Sequence, residues 1–104
     1  MAKVIWTEPA LEDLSSVVHH IARDSPTYAA RLGTSIVQAP RRLEDFPLSG
    51  RIVPEFSDEN IRELIVGSYR LVYTVRPEAC YVVAIIHGSR DIPRHLTPED
   101  WENE

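Results

Sequence analysis

Cysteine, long apolar segments and an excess of basic residues are all missing from this chain of 104 residues. Its one cysteine, Cys80, excludes an intramolecular disulfide and a cluster of thiolate metal ligands. No apolar run approaches the roughly 20 residues that a membrane-spanning helix needs. The N-terminus also lacks the basic-then-apolar order of a signal peptide. These absences fit the reducing cytoplasm, and the length is typical of one domain. We also expect that the protein uses no cofactor.

The charge balance is acidic. Eleven Lys and Arg residues face sixteen Asp and Glu residues, for a net charge of −5 at pH 7. Four of the acids lie in the last eight residues, TPEDWENE, so the rest of the chain carries −1 (−5 + 4). Domains that bind nucleic acid take most of their affinity from cations that neutralise phosphates. We therefore expect no strong direct binding to nucleic acid, and ten arginines against one lysine favour fixed contacts with carboxylates.

The second half of the chain has the pattern of a β-meander. β-Branched and aromatic residues dominate it, and the pattern breaks at Gly67-Ser68 and at Pro77-Glu78. This arrangement predicts three strands joined by tight turns: Ile61–Val66, Tyr69–Arg76 and Cys80–His87. Alternation in the middle strand places Arg70 and Arg76 on the face opposite its apolar residues. In the last strand we expect Cys80 on the inward face with Val82, Ala84 and Ile86, and His87 on the other face with Tyr81, Val83 and Ile85.

The first half of the chain is predicted to be mostly helical. Lys3–Thr7 is a short strand, and a helix begins at Thr7 or Glu8, with apolar residues at helical spacing thereafter. Ser25 and Pro26 are typical of the cap and first residue of a second helix. That helix is predicted to run toward Phe46, with Pro40 kinking it or ending it early. Arg51–Pro54 is at most a short edge strand.

These elements predict an α+β fold of order β-α-α-β(3–4). The helical hairpin packs on one face of a mostly antiparallel sheet, because this is the simplest two-layer solution. Two helices cannot cover both faces, so the other sheet face is predicted to stay open. We expect one domain over residues 1–96, followed by an acidic and flexible tail, 97–104, in which Trp101 either anchors the tail or faces a partner.

Five sequence fragments in this order resemble the RelE/ParE toxin superfamily of bacterial type II toxin–antitoxin systems. They are WTEPALEDL (6–14), FPLSGR (46–51), IREL (61–64), YRLVY (69–73) and HGSR (87–90). The resemblance covers roughly residues 4–92. It implies the superfamily fold, β-α-α-β(4), a toxin that a cognate antitoxin neutralises, and a role in plasmid stabilisation.

The superfamily contains two activities. RelE-like members cleave mRNA on the ribosome, whereas ParE-like members bind DNA gyrase. Arg70 and Arg90 align with two nuclease arginines, but the nuclease lysine positions fall on Ile61 and Glu63, and the expected aromatic residue falls at Leu96. A carboxylate at the position of a lysine would repel the scissile phosphate. These departures favour a ParE-like toxin without catalytic residues that inhibits gyrase. The alternatives are a ribosome-dependent endoribonuclease and an inactive member kept as a binding module.

Candidate sites follow for the target and for the antitoxin. Target-binding candidates are Arg62, Tyr69, Arg70 and Arg90. Antitoxin-binding candidates, on the helical hairpin, are Leu14, Val18, Arg31, Arg41 and Arg42. In the endoribonuclease alternative Arg70, His87 and Arg90 would be catalytic, and we expect these three side chains to converge on one patch.

The expected partners are DNA gyrase and a ParD-like antitoxin of the ribbon-helix-helix type, bound in a hetero-oligomer. The antitoxin is expected to lay a helix on the hairpin and an extended segment toward the sheet. His19 and His20 are adjacent on a helix and point in different directions, with no carboxylate arrangement that resembles a metal site. We therefore expect no metal.

Overall fold

The structure, a computed structural model, describes residues 1–92. Its elements are β1 (Lys3–Trp6), α1 (Glu8–Ala22), α2 (Pro26–Gln38), a 3₁₀ helix (Ala39–Glu44), β2 (Arg51–Ile52), β3 (Ile61–Val66), β4 (Tyr69–Val75) and β5 (Ala79–His87). The five strands form one sheet in the order β1-β5-β4-β3-β2. β1 runs parallel to β5, and the other neighbours are antiparallel. The predicted α+β fold is confirmed. Leu96 and the predicted tail, 97–104 with Trp101, lie outside the described residues.

The helix boundaries follow the predicted capping chemistry. The Thr7 hydroxyl accepts a hydrogen bond from the N–H of Ala10, and the Ser25 hydroxyl accepts one from the N–H of Tyr28. Each cap satisfies an N–H group that has no partner within its helix. α2 ends at Gln38 and continues as the 3₁₀ helix, which contains Pro40. Pro40 thus ends the second helix early, since proline lacks the N–H of the helical ladder.

The main core lies between the helices and the sheet. Its members include Leu32 and Ile36 of α2, Leu43 of the 3₁₀ helix, and Leu71 and Tyr73 of β4. The apolar stripes of the two helices therefore cover one sheet face. Burial of this apolar surface is the main favourable term in the stability of the fold.

The prediction of an open second face is wrong at the centre of the sheet. A second cluster forms there from Val53, Ile61, Val72, Val83, Ala84 and Ile92, with Phe56 packed against it. The loop after β2 and the segment after β5 supply the cover, through Val53 and Ile92, which are 0% and 2% exposed. The apolar side chains of β3, β4 and β5 on this face would otherwise contact water.

A β-bulge in β5 reverses the predicted faces of its second half. Val72 pairs with Ala84 while Tyr73 pairs with Val82, so Val83 has no opposite residue. Val83 and Ala84 consequently both join the second cluster, and Ile85 packs into the main core. The predicted inward positions of Ala84 and Ile86 are therefore wrong.

His87 changes face for the same reason. Tyr69 pairs with His87 across the β4–β5 ladder, and directly opposite residues project from the same face of a sheet. Tyr69 packs against the main core, so His87 lies on the helical side of the sheet. The predicted grouping of His87 with Tyr81 and Val83 is wrong.

The loop Phe46–Gly50 is built around the buried hydroxyl of Tyr73. This hydroxyl donates to the carbonyl of Pro47 (2.9 Å) and accepts from the N–H of Gly50 (3.0 Å). A Cβ atom at Gly50 would lie 2.7 Å from the carbonyl oxygen of Glu63 and 2.7 Å from the Tyr73 hydroxyl. Only glycine therefore fits at position 50 without a steric clash.

We expect Gly50→Ala to lower the free energy of unfolding by about 1–3 kcal/mol, as overpacking of a closed site does. Leu48→Ala is the matched control, because Leu48 is 56% exposed in the same loop, and it should change stability by no more than about 0.5 kcal/mol. Urea denaturation followed by circular dichroism measures both values. Equal stability of the two variants would show that the loop moves away from Tyr73 at no cost.

Candidate functional site

Arg70 lies at the centre of a buried group of charges on the second sheet face. Its side chain is 6% exposed. Both terminal nitrogens donate to the two carboxylate oxygens of Glu55, at 2.7 and 2.8 Å, and its Nε donates to Glu63 at 2.6 Å. Glu63 also pairs with Arg51. We call Arg51, Glu55, Glu63 and Arg70 the Arg70 cluster.

The cluster neutralises its charges internally. Hydrogen bonds from Arg70 lower the pKa of Glu55 to about 2, against the opposing effect of burial. The bond with Glu55 in turn raises the pKa of Arg70, so its guanidinium is held in the charged form. The Glu63 side chain is fully buried. A bidentate arginine–carboxylate contact with a second carboxylate on Nε leaves this guanidinium little capacity for an external anion.

The same cluster fixes the chain after β5. Arg70 donates to the carbonyl of Arg90 (3.1 Å), and Glu55 accepts from the N–H of Ile92 (2.8 Å). The predicted exposure of Arg70 on an open face is therefore wrong, because residues 90–92 and the loop that carries Glu55 cover it. Its contact with Glu63, a residue of the neighbouring strand, is buried as well.

A groove of about 610 Å³ lies on the other side of the sheet, between α1 and the end of β5. Its lining includes Asp13, His20, Tyr69, His87 and Arg90. The His87 ring contacts Tyr69 edge to face, with the centroids 5.2 Å apart, and its Nδ1 lies 2.7 Å from the Ser89 hydroxyl. Desolvation raises the pKa of Asp13, whose carboxylate accepts from the N–H of Ile85. We call this the β5 groove.

The predicted convergence of Arg70, His87 and Arg90 is not observed. Arg70 pairs with Ile86 across the ladder, one position away from the Tyr69–His87 pair. Consecutive strand residues project to opposite faces, so Arg70 and His87 lie on opposite sides of the sheet. His87 and Arg90 do share the β5 groove. The structure thus unites two of the three side chains that the endoribonuclease alternative requires.

The four target-binding candidates are similarly divided. Tyr69 and Arg90 line the β5 groove, whereas Arg70 is internal. Arg62 lies elsewhere and donates to the carbonyls of Leu48 (3.2 Å) and Gly50 (3.0 Å).

A second groove, of about 380 Å³, lies between α1 and α2. Val18, Gly33, Val37 and Arg41 are among its lining residues. The helices approach closely here, since a Cβ atom at Gly33 would lie 3.2 Å from a methyl group of Val18. An apolar floor with an arginine at the rim suits an amphipathic helix that carries acidic residues. We call this the hairpin groove.

Two of the five antitoxin-binding candidates, Val18 and Arg41, line the hairpin groove. Leu14 packs against the main core, and Arg31 is exposed on α2. Arg42 points elsewhere and donates to the hydroxyl and the carbonyl of Ser49, at 3.1 and 3.2 Å.

Residues 1–92, which the structure describes, contain no group of three or more His, Cys, Asp or Glu residues that could hold a metal ion. None of the helices they form is long and apolar enough to cross a membrane.

Sequence reasoning missed Glu55 altogether. It follows Pro54 in a loop without periodicity, and nothing near it in sequence marks it as the partner of a residue on β4. The only signal was general: a predominance of arginine over lysine favours fixed carboxylate contacts.

We expect Glu55→Gln to lower the free energy of unfolding at pH 7 by roughly 2–4 kcal/mol, because it breaks the buried ion pair with Arg70. The loss is limited because Glu63 still pairs with Arg70. Glu59→Gln, which changes an exposed carboxylate nearby, is the control and should behave as the unmodified chain. Urea denaturation measures both.

The pH dependence tests the same contact independently. The folded-state pKa of Glu55, about 2, is below its ordinary value, so its stabilising contribution is present above about pH 5 and is lost toward pH 2. The raised pKa of Asp13 has the opposite sign and offsets part of that loss. Glu55→Gln should therefore flatten the acid-induced fall in stability. An unchanged slope in this variant would exclude Glu55 from the stabilising contact.

Comparison with known proteins places this geometry in a family. Residues 4–92 match the family described as the ParE toxin of the type II toxin–antitoxin system parDE. The chain is 33% identical over 91 residues to Toxin RelE2 of Caulobacter vibrioides. The aligned region covers 86% of this chain and 99% of that protein.

A solved structure agrees in fold. A chain of a chromosomal ParDE toxin–antitoxin system from P. aeruginosa superposes with a TM-score of 0.68 at 20% identity, over 84% of this chain and 96% of that one. The match to residues 4–92 spans every helix and almost every strand residue described above. This chain therefore belongs to the ParE toxin family of type II toxin–antitoxin systems.

Proposed function

We propose that this chain is a toxin that inhibits DNA gyrase by binding it, and that a cognate antitoxin neutralises it. The observation that carries the proposal is the Arg70 cluster. Ribonuclease chemistry at this sheet would need a cation free to stabilise the charge that develops on phosphate. Arg70 instead contacts two carboxylates and is buried. A binding mechanism needs no such free cation.

The endoribonuclease alternative keeps one supporting observation, the presence of His87 and Arg90 in the β5 groove. An imidazole can serve as a general acid or base, and Arg90 could contact a phosphate. Asp13, on the same groove, adds a carboxylate that would oppose the approach of a polyanion. We therefore assign Tyr69 and Arg90 to target binding, and Arg62 and Arg70 to support of the fold.

The direct test of the proposal is inhibition of DNA supercoiling by purified gyrase. Increasing amounts of the free chain should abolish supercoiling, and prior addition of the antitoxin should restore it. Supercoiling that stays complete at a large excess of a folded chain would overturn gyrase as the target.

Two substitutions in the β5 groove distinguish binding from catalysis. We expect His87→Gln to retain toxicity in cells without antitoxin, because a neutral polar side chain of similar size preserves the surface. We expect Arg90→Ala to weaken target binding by about 1–3 kcal/mol, as loss of a charged hydrogen bond does. Growth arrest and supercoiling inhibition measure the two effects. A general acid or base would instead lose about 10²–10⁴-fold in activity on substitution, so a harmless but folded His87→Gln variant would favour the endoribonuclease.

The antitoxin is proposed to occupy the hairpin groove. The solved structure of similar fold comes from a ParDE toxin–antitoxin system. In the groove of this chain Val37 is 45% exposed, and Arg41 lies at the rim. We propose an amphipathic helix with acidic residues, from an antitoxin of the ribbon-helix-helix type, bound to the toxin in the cytoplasm. Arg31, which is exposed on α2, is proposed to contact further acidic residues of the same antitoxin helix.

Val37→Asp should weaken antitoxin binding, because it places a carboxylate on the apolar floor. Arg41→Glu should slow association and reduce its sensitivity to salt. Ile65→Asp is the control, since Ile65 is 57% exposed on the second sheet face, away from the helices. Surface plasmon resonance at two salt concentrations gives the rates. Unchanged rates for both groove variants would move the antitoxin to another surface.

A further inference from the structure

The loop Phe46–Gly50 is fixed to the body of the protein through its backbone. Each of its five carbonyls accepts a hydrogen bond from within the chain: Phe46 from the N–H of Ser49, Pro47 from Tyr73, Leu48 and Gly50 from Arg62, and Ser49 from Arg42. The N–H of Gly50 is also bonded, to Tyr73. Exposed loops ordinarily leave such groups to water. This one is held in a single conformation by three side chains from outside it.

The two large apolar side chains of the same loop are exposed. Phe46 is 66% exposed and Leu48 56%, and Ile52, just beyond the loop on the edge strand, is 39% exposed. Large apolar side chains on a rigid backbone lose little conformational freedom when a partner covers them. An aromatic residue in such a position is the type of anchor that dominates protein interfaces.

The charges around the loop identify the chemistry of the partner. Two guanidinium groups lie against the loop, because Arg42 and Arg62 both donate to its carbonyls. Arg51, just beyond the loop, is paired with the buried Glu63, and Arg41 lines the hairpin groove. Acidic side chains around an apolar pocket would complement this surface and accelerate association.

A second copy of the chain is a poor occupant. A symmetric contact brings the same patch of each copy together, so it would oppose the arginines of one loop to those of the other. Three partly exposed side chains also fall short of the roughly 800 Å² per partner that a stable interface buries. The loop therefore suits an anchor within a larger contact with another folded protein.

The loop and the hairpin groove are separate surfaces. Arg41 lines the groove, whereas the adjacent Arg42 reaches the loop. A helix in the hairpin groove would therefore contact Arg41, whereas the loop contacts Arg42.

We infer that the loop Phe46–Gly50 is a preformed docking surface for the toxin's target, with Phe46 and Leu48 inserting into an apolar pocket rimmed by carboxylates. This inference rests on the proposed function, because it takes the partner to be the protein that the toxin inhibits.

The test compares Phe46→Ser/Leu48→Ser with the unmodified chain and with Ile65→Ser, which removes an equally exposed apolar side chain from the second sheet face. Purified gyrase is the probe. The double variant should need at least about tenfold more protein to inhibit supercoiling, as expected for the loss of an interface anchor. Its affinity for the antitoxin should stay within about twofold, and Ile65→Ser should match the unmodified chain in both assays.

Two results would overturn the inference. One is a double variant that inhibits as well as the unmodified chain. The other is a parallel loss of antitoxin affinity, which would assign the loop to the antitoxin. Thermal melts monitor folding, and Phe46→Ala and Leu48→Ala replace the double variant if it unfolds. Arg42→Ala supplies a second measurement, because it loosens the loop but keeps both apolar side chains, and it should weaken inhibition by a smaller factor.

Growth arrest in cells separates this inference from the proposed function. A chain that arrests growth but leaves gyrase active would contradict gyrase as the target, and loss of arrest in the double variant alone would still support the docking surface. A chain that inhibits gyrase, with a double variant that inhibits equally, would contradict only the docking surface.

Discussion

The bidentate contact between Arg70 and Glu55 is the interaction on which the second half of this structure depends. It joins β4 to the loop after β2, and through the N–H of Ile92 and the carbonyl of Arg90 it joins both to the chain that leaves β5. The apolar cover of the second face, Val53 and Ile92, lies directly beside these contacts. A guanidinium buried without carboxylates would cost several kcal/mol, so the loop, the strand and the final segment are held in place together.

That constraint also connects the fold to the proposed mechanism. An arginine on the middle strand of an uncovered sheet could contact a phosphate. In this chain the arginine at that position, Arg70, is covered and contributes to stability instead. The difference arises from two carboxylates, Glu63 on the neighbouring strand and Glu55 on the covering loop. With Arg70 neutralised, a partner can still reach the two grooves and the rigid loop of Phe46 and Leu48. These are surfaces suited to binding.

Sequence reasoning succeeded where the controlling physics is local. The caps at Thr7 and Ser25, the break at Pro40 and the three long strands all follow from residue types within a few positions of each other. It failed where distant residues decide the outcome. The bulge at Val83 depends on how β5 meets β4, and it alone moves His87 to the helical side. The cover of the second face depends on Glu55 finding Arg70, fifteen positions along the chain. The resemblance indicated the family correctly, and it gave candidate residues that the structure divides between two sheet faces and two grooves.

The central claim, that this toxin acts by binding and has no ribonuclease site, is tested most directly by mapping mRNA ends in a translating extract. The free chain is added at the concentration that inhibits gyrase, and 5′ ends of the translated message are sequenced. The account predicts the same ends with and without the chain. New ends at ribosome-occupied codons, abolished by substitution of Arg70 or His87 in a folded variant, would contradict it.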